Sequence, residues 1–230
     1  MSGPRVMLAS PIYGDVTYDF MACLMRAQES PPCSLVVHCH AGDSLVSRAR
    51  NNIAAKFLES DCTHLMMVDS DIVFSPEHIS KLLSRDRDII GGLYPKKMKT
   101  LAWVCNVLPE VGPEDDGTQR VKYIGTGSML VKRRVFERMI EAYGPQIAYS
   151  PDAGEEGGTK HDFFPVGVYR TPDGHGRYLS EDWYFCQRWL DLGGEVWADL
   201  TVVHHHIGRA VYPLFDPRRR IGAPSASGGD

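Results

Sequence analysis

The 230-residue sequence has no long hydrophobic run, no closely spaced cysteine pair and no excess of positive charge. A helix that crosses a membrane needs roughly 18 or more consecutive apolar residues, and no segment reaches that length. The first ten residues, MSGPRVMLAS, also lack the apolar stretch of a secretory signal. These absences predict a cytoplasmic protein without a membrane span.

Six cysteines are scattered along the chain, and no two of them form a C-x-x-C pair. This spacing disfavours a structural zinc site and predicts reduced, mostly buried thiols. The 25 Lys and Arg residues are outnumbered by 29 Asp and Glu residues, which gives a formal net charge of −4. Chains that bind nucleic acid are usually basic, so the overall charge gives no support to that class of partner.

Apolar segments with two different periodicities alternate over the first seventy residues. The predicted strands are residues 5–10, 33–40 and 63–68, and the predicted helices are residues 15–30 and a segment that begins after Asp43. This β-α-β-α-β order predicts an α/β fold with a mostly parallel sheet flanked by helices. The length suits a single domain, which we place at residues 1–215, followed by a flexible tail at residues 216–230.

The rest of the chain continues the pattern with less regular spacing. Gly125 and Gly127 interrupt a strand-like stretch, and the polar, glycine-rich segment 151–162 predicts a mobile loop. We expect helices after Pro76, over residues 135–143 and from Ser180 to Leu192, and strands at residues 88–90, 101–108 and within 120–132.

Two carboxylates interrupt the most apolar stretch of the chain, LMMVDSDIVF at residues 65–74. A buried carboxylate is costly unless it is paired, hydrogen-bonded or bound to a cation. Asp69 and Asp71 follow the third predicted strand, and ligands of open α/β sheets bind at the carboxyl ends of strands. The pattern is compatible with a solvated turn, but it also suits Mg²⁺ or Mn²⁺ shared with substrate phosphates.

A second acidic pair, Glu181 and Asp182, opens the last predicted helix in the segment SEDWYFCQRW. Negative charge in the first turn of a helix is favoured by the helix dipole, which is one explanation of the pair. The other is that one of the two carboxylates acts as a general base in a cleft.

Three consecutive histidines follow a β-branched run in the segment VVHHHIG at residues 202–208. Strand alternation predicts that His204 and His206 share one face and that His205 lies on the other. A neutral imidazole can complete a metal site begun by carboxylates, and Mn²⁺ accepts it more readily than Mg²⁺. A hydrogen-bonded histidine cluster at a strand end is the alternative.

Taken in order, these motifs resemble nucleotide-sugar glycosyltransferases of the GT-A type, with a Rossmann-like fold. The likeness is greatest to family-2-like members of bacteria and phages, which would place a phage-encoded protein in the bacterial host cytoplasm. The matching segments are SRARNNIAAKFL (47–58), THLMMVDSDIVFSPEHISKLL (63–83), DIIGGLYPKK (88–97), YIGTGSMLVKRRVFERM (123–139) and LSEDWYFCQRWLDLGGEVWADLTVVHHHIG (179–208).

The resemblance implies a donor site for a nucleoside diphosphate sugar, which we expect to be a UDP-sugar. Ser10, Pro11 and Tyr13 would lie against the base, and Arg50 and Asn51 would contact the base or the ribose.

For the metal, the resemblance implies that Asp69 holds the ribose or a metal-bound water, with Ser70 beside it, and that Asp71 ligates Mn²⁺ or Mg²⁺. His206 would be the third ligand, with His204 as the alternative.

On the acceptor side, Gly125 to Gly127 would leave room for the transferred sugar. Asp182 would take the proton of the acceptor hydroxyl, and Glu181 would bind the sugar or the acceptor. A base opposite the departing diphosphate implies inversion at the anomeric carbon. Lys96 and Lys97 are compatible with phosphate screening or with an ordinary solvated loop.

The acceptor is left open by the sequence. A saccharide, a protein and a hydroxymethylated base in phage DNA are all compatible, and the basic triplets at 132–134 and 218–220 offer local charge for the last. Two other functions remain: a sugar-phosphate nucleotidyltransferase, and a non-catalytic module that binds carbohydrate or nucleotide. The loop after the first strand, SPIYGDVTY, lacks the glycine-rich, basic character that favours a nucleotidyltransferase.

Overall fold

The computed structural model describes residues 3–98, 100–151, 158–171, 173–208 and 211–212. The helices in this part of the chain are α1 (Tyr18–Glu29), α2 (Val46–Glu59), α3 (Pro76–Ser84), α4 (Arg133–Ile147) and α5 (Glu181–Asp191). The strands are β1 (Arg5–Ile12), β2 (Ser34–Ala41), β3 (His64–Val68), β4 (Ile72–Val73), β5 (Ile89–Leu93), β6 (Cys105–Val107), β7 (Thr118–Ile124), β8 (Ser128–Lys132), β9 (Ala148–Tyr149), β10 (Lys160–His161), β11 (Gly167–Arg170), β12 (Gly176–Leu179), β13 (Val196–Val203), β14 (His205–Ile207) and β15 (Val211–Tyr212).

A central sheet has the strand order β2-β1-β3-β8-β5-β13-β7-β6. Strands β2, β1 and β3 pair in parallel, as do β5 and β13, while β8 and β7 run antiparallel to both of their neighbours. Six of the eight strands therefore point the same way, which confirms the predicted α/β fold with a mostly parallel sheet.

Strand β3 shows why the sheet is buried on both faces. Leu65 and Met67 belong to the core on the side of α2, α4 and α5, whereas Met66 and Val68 belong to the core on the side of α1 and α3. Side chains of a strand alternate between faces, so an unbroken apolar run is what a doubly covered strand requires. The strand ends at the carboxyl edge of the sheet, immediately before Asp69.

Two parts of the fold differ from the sequence-based expectation. The predicted strand at 101–108 is only Cys105–Val107, whereas the strands predicted within 120–132 are confirmed as β7 and β8, joined by a turn through Gly125 and Gly127. Part of the predicted loop at 151–162 forms β10, while residues 152–157 and the predicted tail at 216–230 lie outside the described residues.

A small second sheet brings the two distant polar motifs together. Strand β14 pairs with β4, so that His206 lies opposite Ile72, and the backbone N–H of Ile207 donates to the carbonyl oxygen of Asp71 over 2.8 Å. Backbone pairing fixes the register of two segments that are more than 130 residues apart in the chain. His206 therefore lies beside Asp71, as the metal-site hypothesis requires.

Arg133 fastens the end of α2 to the start of α4. Its guanidinium donates to the carbonyl oxygens of Phe57, Leu58, Ser60 and Cys62 at 2.7–3.2 Å. The last carbonyls of a helix have no partner within the helix, so a single side chain that caps several of them stabilises the helix end. Because α2 carries Arg50 and Asn51, this anchor also positions the candidate site.

We predict that Arg133→Ala lowers the free energy of unfolding by about 3 kcal/mol, because several carbonyl groups lose a charged hydrogen-bond donor. Urea unfolding followed by circular dichroism measures the change. Arg134→Ala is the matched control on the same helix: its partner is Asp88, its side chain is 65% exposed, and its loss costs less than about 1 kcal/mol. Equal losses in the two variants would show that Arg133 is not an anchor.

Candidate active site

A cavity of about 240 Å³ opens where β1, β3 and the β2–α2 connection end. Its wall includes six residues that the sequence singled out: Pro11, Tyr13, Arg50, Asp69, Ser70 and Asp71. The other lining residues come from the end of β1, the β2–α2 connection and the start of α2: Ile12, Asp43, Ser44, Val46 and Ala49. The fold thus gathers residues from three distant segments at one cavity, at the edge where ligands of such sheets bind.

Arg50, which lines this cavity, connects the two acidic motifs. Its buried guanidinium donates from Nη2 to Asp69 Oδ1 at 2.9 Å and from Nε to Glu181 Oε1 at 3.4 Å. The third nitrogen, Nη1, is buried and has no hydrogen-bond partner among the described residues. A buried donor without a partner is uncommon, and a ligand oxygen would satisfy it.

Asn51 does not take the place expected for it. Its Oδ1 accepts hydrogen bonds from the backbone N–H groups of Phe163 and Phe164, and its Nδ2 donates to Asp162. Successive residues of a helix point in different directions, so Asn51 faces the chain at 162–164 while Arg50 faces the cavity. The expected contact of Asn51 with base or ribose is therefore corrected to a structural role.

Tyr94 was not among the residues predicted from the sequence. Its side chain occupies the space left by the missing side chains of Gly125 and Gly127. The backbone N–H of Gly127 donates to the Tyr94 hydroxyl at 3.0 Å. A Cβ atom at Gly125 or Gly127 would lie 2.2 Å or 2.6 Å from that oxygen, so both positions require glycine. Burial, and secondarily the carboxylate of Asp69, raise the pKa of Tyr94, which keeps the hydroxyl protonated. That the glycines leave room for a sugar stays a prediction.

His206 has its two ring nitrogens in different environments. Nδ1 lies 2.8 Å from the carbonyl oxygen of Pro95, which can only accept, so Nδ1 carries a proton. Nε2 faces Asp71 Oδ2 at 3.4 Å. Fixing one nitrogen through a carbonyl is the usual way in which a metal-binding histidine is oriented.

Asp71 also accepts a hydrogen bond from the ammonium group of Lys97. Partial burial alone raises the pKa of Asp71, but its interactions with His206 and Lys97 outweigh the effect of burial and hold the pKa below its ordinary value. The side chain is therefore a carboxylate at neutral pH. Lys97 is therefore more than an ordinary solvated loop residue, and its other interpretation, phosphate screening, stays a prediction.

His204 contacts different groups from His206, although both turn inward and His205 is exposed, as strand alternation predicts. Its Nε2 lies 2.7 Å from Ser128 Oγ and its Nδ1 lies 3.2 Å from His78 Nδ1. Burial, helped by His78, lowers the pKa of His204 to about 3. Both ring nitrogens of His204 are engaged away from Asp71, whereas Nε2 of His206 faces it, so the structure does not support the alternative of His204 as the ligand.

Asp182 lies in the first turn of α5. Among the described residues, one of its carboxylate oxygens accepts hydrogen bonds and the other accepts none. Oδ1 accepts hydrogen bonds from the Ser180 hydroxyl and from the backbone N–H of Trp183. Burial, and then the neighbouring Glu181, raise the pKa of Asp182. A carboxylate that is held in place and whose basicity is increased by its surroundings is suited to accept a proton.

The donor set around Asp71 fits a divalent cation that is completed by its substrate. Among the described residues, no group of three or more His, Cys, Asp or Glu side chains is arranged to hold a metal. Asp71 and His206 supply one carboxylate and one imidazole, a mixture that suits Mn²⁺, while Asp69 is engaged by Arg50. Cations of this class often take substrate phosphates as further ligands.

Comparison with solved structures identifies the fold. The protein A197 from STIV aligns over 95% of this chain and 98% of its own length, with a TM-score of 0.55 and 16% identity. GalNAc-T7, a glycosyltransferase solved with UDP, GalNAc and Mn²⁺, aligns over 90% of this chain with a TM-score of 0.56 and 10% identity. The fold is of the GT-A glycosyltransferase type.

The GT-A-type chain spans 44% of the length of the GalNAc-T7 chain that it matches. No protein-family model matches it, and no curated protein matches it at the sequence level. Within the described residues, none of the helices has both the length and the apolar character required to cross a bilayer.

We predict that Asp182→Asn unfolds at a higher urea concentration than the wild type at pH 7. Because the pKa of Asp182 is raised in the folded state, the wild type loses stability as pH rises from the unfolded pKa, about 3.9, through the folded pKa. The amide cannot ionise and avoids this loss, so the difference shrinks at pH values below about 3.9. Urea titrations at several pH values measure it.

Asp61→Asn is the control for that comparison, because Asp61 is exposed and, among the described residues, its salt bridge is with Arg5 at the opposite edge of the sheet. It should give no gain in stability at any pH. If Asp182→Asn and Asp61→Asn behaved alike, the ionised Asp182 would not be strained by its surroundings.

Proposed function

We propose that the protein is a metal-dependent glycosyltransferase of the family-2-like type that moves a sugar from a nucleoside diphosphate sugar to an acceptor hydroxyl. The observation that carries the proposal is the pairing of β4 with β14, which sets His206 Nε2 3.4 Å from Asp71 Oδ2 at the edge of a cavity. We assign UDP-sugar as the donor and Mn²⁺ as the preferred cation, with Mg²⁺ as the alternative.

The donor half of the site is formed by the ends of β1 and β3 and the start of α2. Pro11 and the 72%-exposed Tyr13 offer an apolar and an aromatic surface for the nucleotide base. The unpartnered Nη1 of Arg50 offers a charged hydrogen bond to an oxygen of the donor. Asp71 and His206 would hold the cation, which when bound neutralises the charge that develops on the departing diphosphate.

The acceptor half of the site is formed by the first turn of α5. Asp182 takes the proton of the acceptor hydroxyl, since its carboxylate is held by Ser180 and Trp183 and its basicity is raised by burial. Glu181 is fixed by Arg50, so the acceptor half is tied to Asp69 in the donor half. A base that approaches from the side opposite the diphosphate gives inversion at the anomeric carbon.

The acceptor is to be sought among saccharides, proteins and modified DNA. One of the two basic triplets proposed to contact DNA, residues 218–220, lies outside the described residues. In the other basic triplet, residues 132–134, Lys132 is paired with Asp86 and Arg134 with Asp88. Arg133 caps α2, so the positive charges of this triplet are already engaged within the protein. This distribution favours a saccharide or protein acceptor.

The proposal predicts release of nucleoside diphosphate from a UDP-sugar in the presence of Mn²⁺. A panel of nucleotide sugars is incubated with the protein, with and without candidate acceptors, and the released diphosphate is measured by a coupled assay. Chelation by EDTA should remove the activity and added Mn²⁺ should restore it. Turnover that is unaffected by EDTA would contradict the metal-dependent mechanism.

Two variants separate the roles of the acidic motifs. We expect Asp71→Ala to abolish Mn²⁺-dependent binding of the donor, measured by calorimetry, because the cation loses its carboxylate. Asp182→Asn should keep donor binding within about threefold and lose transfer by about a thousandfold, within the range of general-base contributions. Asp61→Asn should match the wild type in both measurements. A reversed pattern between Asp71 and Asp182 would overturn the role assignment.

A further inference from the structure

Lys97 already places a positive charge at the carboxylate that would hold the cation. Its ammonium group donates to Asp71 Oδ2, and this same oxygen lies 3.4 Å from His206 Nε2. The side chains of Lys97 and Asp71 are 36% and 35% exposed, so the ion pair is open to solvent. Partly exposed ion pairs of this kind contribute little net free energy and exchange readily.

The loop that carries Lys97 is the same loop that orients His206. The carbonyl oxygen of Pro95 receives the Nδ1 proton of His206 at 2.8 Å, two residues before Lys97. Pro95 forms a bridge with Trp103, and the Lys96 backbone N–H donates to Ala102 at 2.7 Å. The loop is therefore anchored at its base while Lys97 extends from its exposed end. The Lys97 side chain can leave Asp71 without disturbing the support of His206.

We propose that Lys97 is a displaceable internal cation that neutralises Asp71 until the divalent cation binds and then transfers to the diphosphate of the donor. This inference rests on the proposed function and adds a donor-binding residue to it. An ammonium and a dication compete for one carboxylate oxygen, since like charges at such short range repel. The diphosphate offers the released ammonium several new acceptor oxygens.

The exchange has a thermodynamic consequence. Without nucleotide, the divalent cation must break the Lys97–Asp71 pair, so Lys97 weakens metal binding. With UDP bound, Lys97 has phosphate oxygens to contact and its release is favourable. Metal and UDP should therefore strengthen each other's binding by more than their direct contact accounts for, and by thermodynamic necessity the coupling is reciprocal.

The test is the substitution Lys97→Met, which keeps an unbranched stem and removes the charge. Binding of Mn²⁺ to the full-length protein is measured by electron paramagnetic resonance of the free ion, first alone and then with saturating UDP. We expect Lys97→Met to bind Mn²⁺ alone about tenfold more tightly than the wild type, within the usual range of coupling effects. In saturating Mn²⁺, we expect it to bind UDP several-fold more weakly.

Lys96→Met is the matched control. The Lys96 side chain is exposed and makes no recorded polar contact within the described chain, so this variant should bind Mn²⁺ and UDP like the wild type. A purely structural role for Lys97 would weaken Mn²⁺ and UDP binding together, and unchanged Mn²⁺ affinity in Lys97→Met would show that Lys97 does not compete. Either result overturns the inference.

Asp71→Asn separates the failure of this inference from the failure of the proposed function. If the wild type binds Mn²⁺ through Asp71, and Lys97→Met binds it no better, the inference on Lys97 fails and the metal site stands. If neither the wild type nor Lys97→Met binds Mn²⁺ in any condition, or if Asp71→Asn binds it as well as they do, both the metal site and the inference fail.

Discussion

The candidate site depends on one backbone pairing, between β4 and β14. The D-S-D segment follows β3 and the three histidines follow β13. In the central sheet these two strands are separated by β8 and β5, so without the pairing the two motifs would lie apart. The hydrogen bond from the Ile207 N–H to the Asp71 carbonyl fixes which histidine faces the carboxylate. A shift of one residue in this register would turn His206 away, because side chains alternate along a strand.

A second constraint links the two halves of the site through buried charge. Arg50 is a guanidinium that is removed from water, and it is tolerated there because Asp69 and Glu181 accept its hydrogen bonds. Each carboxylate belongs to a different motif, one after β3 and one at the start of α5. The ion network therefore holds the two acidic motifs at a fixed separation.

Sequence patterns predicted the secondary-structure elements and the charged motifs. They did not predict which groups each individual side chain contacts. The alternation of apolar runs predicted β1 to β3 and the carboxyl edge where Asp69 and Asp71 lie. It could not separate Arg50 from Asn51, since both are polar and adjacent, and only the direction of each side chain from α2 assigns one to the cavity and the other to Phe163 and Phe164. Such assignments depend on tertiary neighbours that local patterns do not encode.

Tyr94, and the contact of Lys97 with Asp71, were not predicted because both residues lie in the short segment YPKK that follows β5 and has no periodicity. Its importance comes from three contacts made over long sequence distances: the Tyr94 hydroxyl with Gly127, the Pro95 carbonyl with His206, and the Lys97 ammonium with Asp71. The glycines at 125 and 127 were the available signal. A residue that lacks a side chain at a strand turn often indicates that another group occupies the space, and here that group is Tyr94.

The four carboxylates of the site differ in how they are neutralised, and this difference separates their roles. Asp69 and Glu181 are paired with Arg50, and Asp71 with Lys97 and His206. Asp182 alone among the four has no salt bridge within the described residues, and its pKa is raised while that of Asp71 is lowered. A carboxylate stabilised by cations is a poor proton acceptor and a good ligand for a positive charge. A buried carboxylate without such a partner gains basicity, so the same residue type is suited to bind a cation in one acidic motif and to accept a proton in the other.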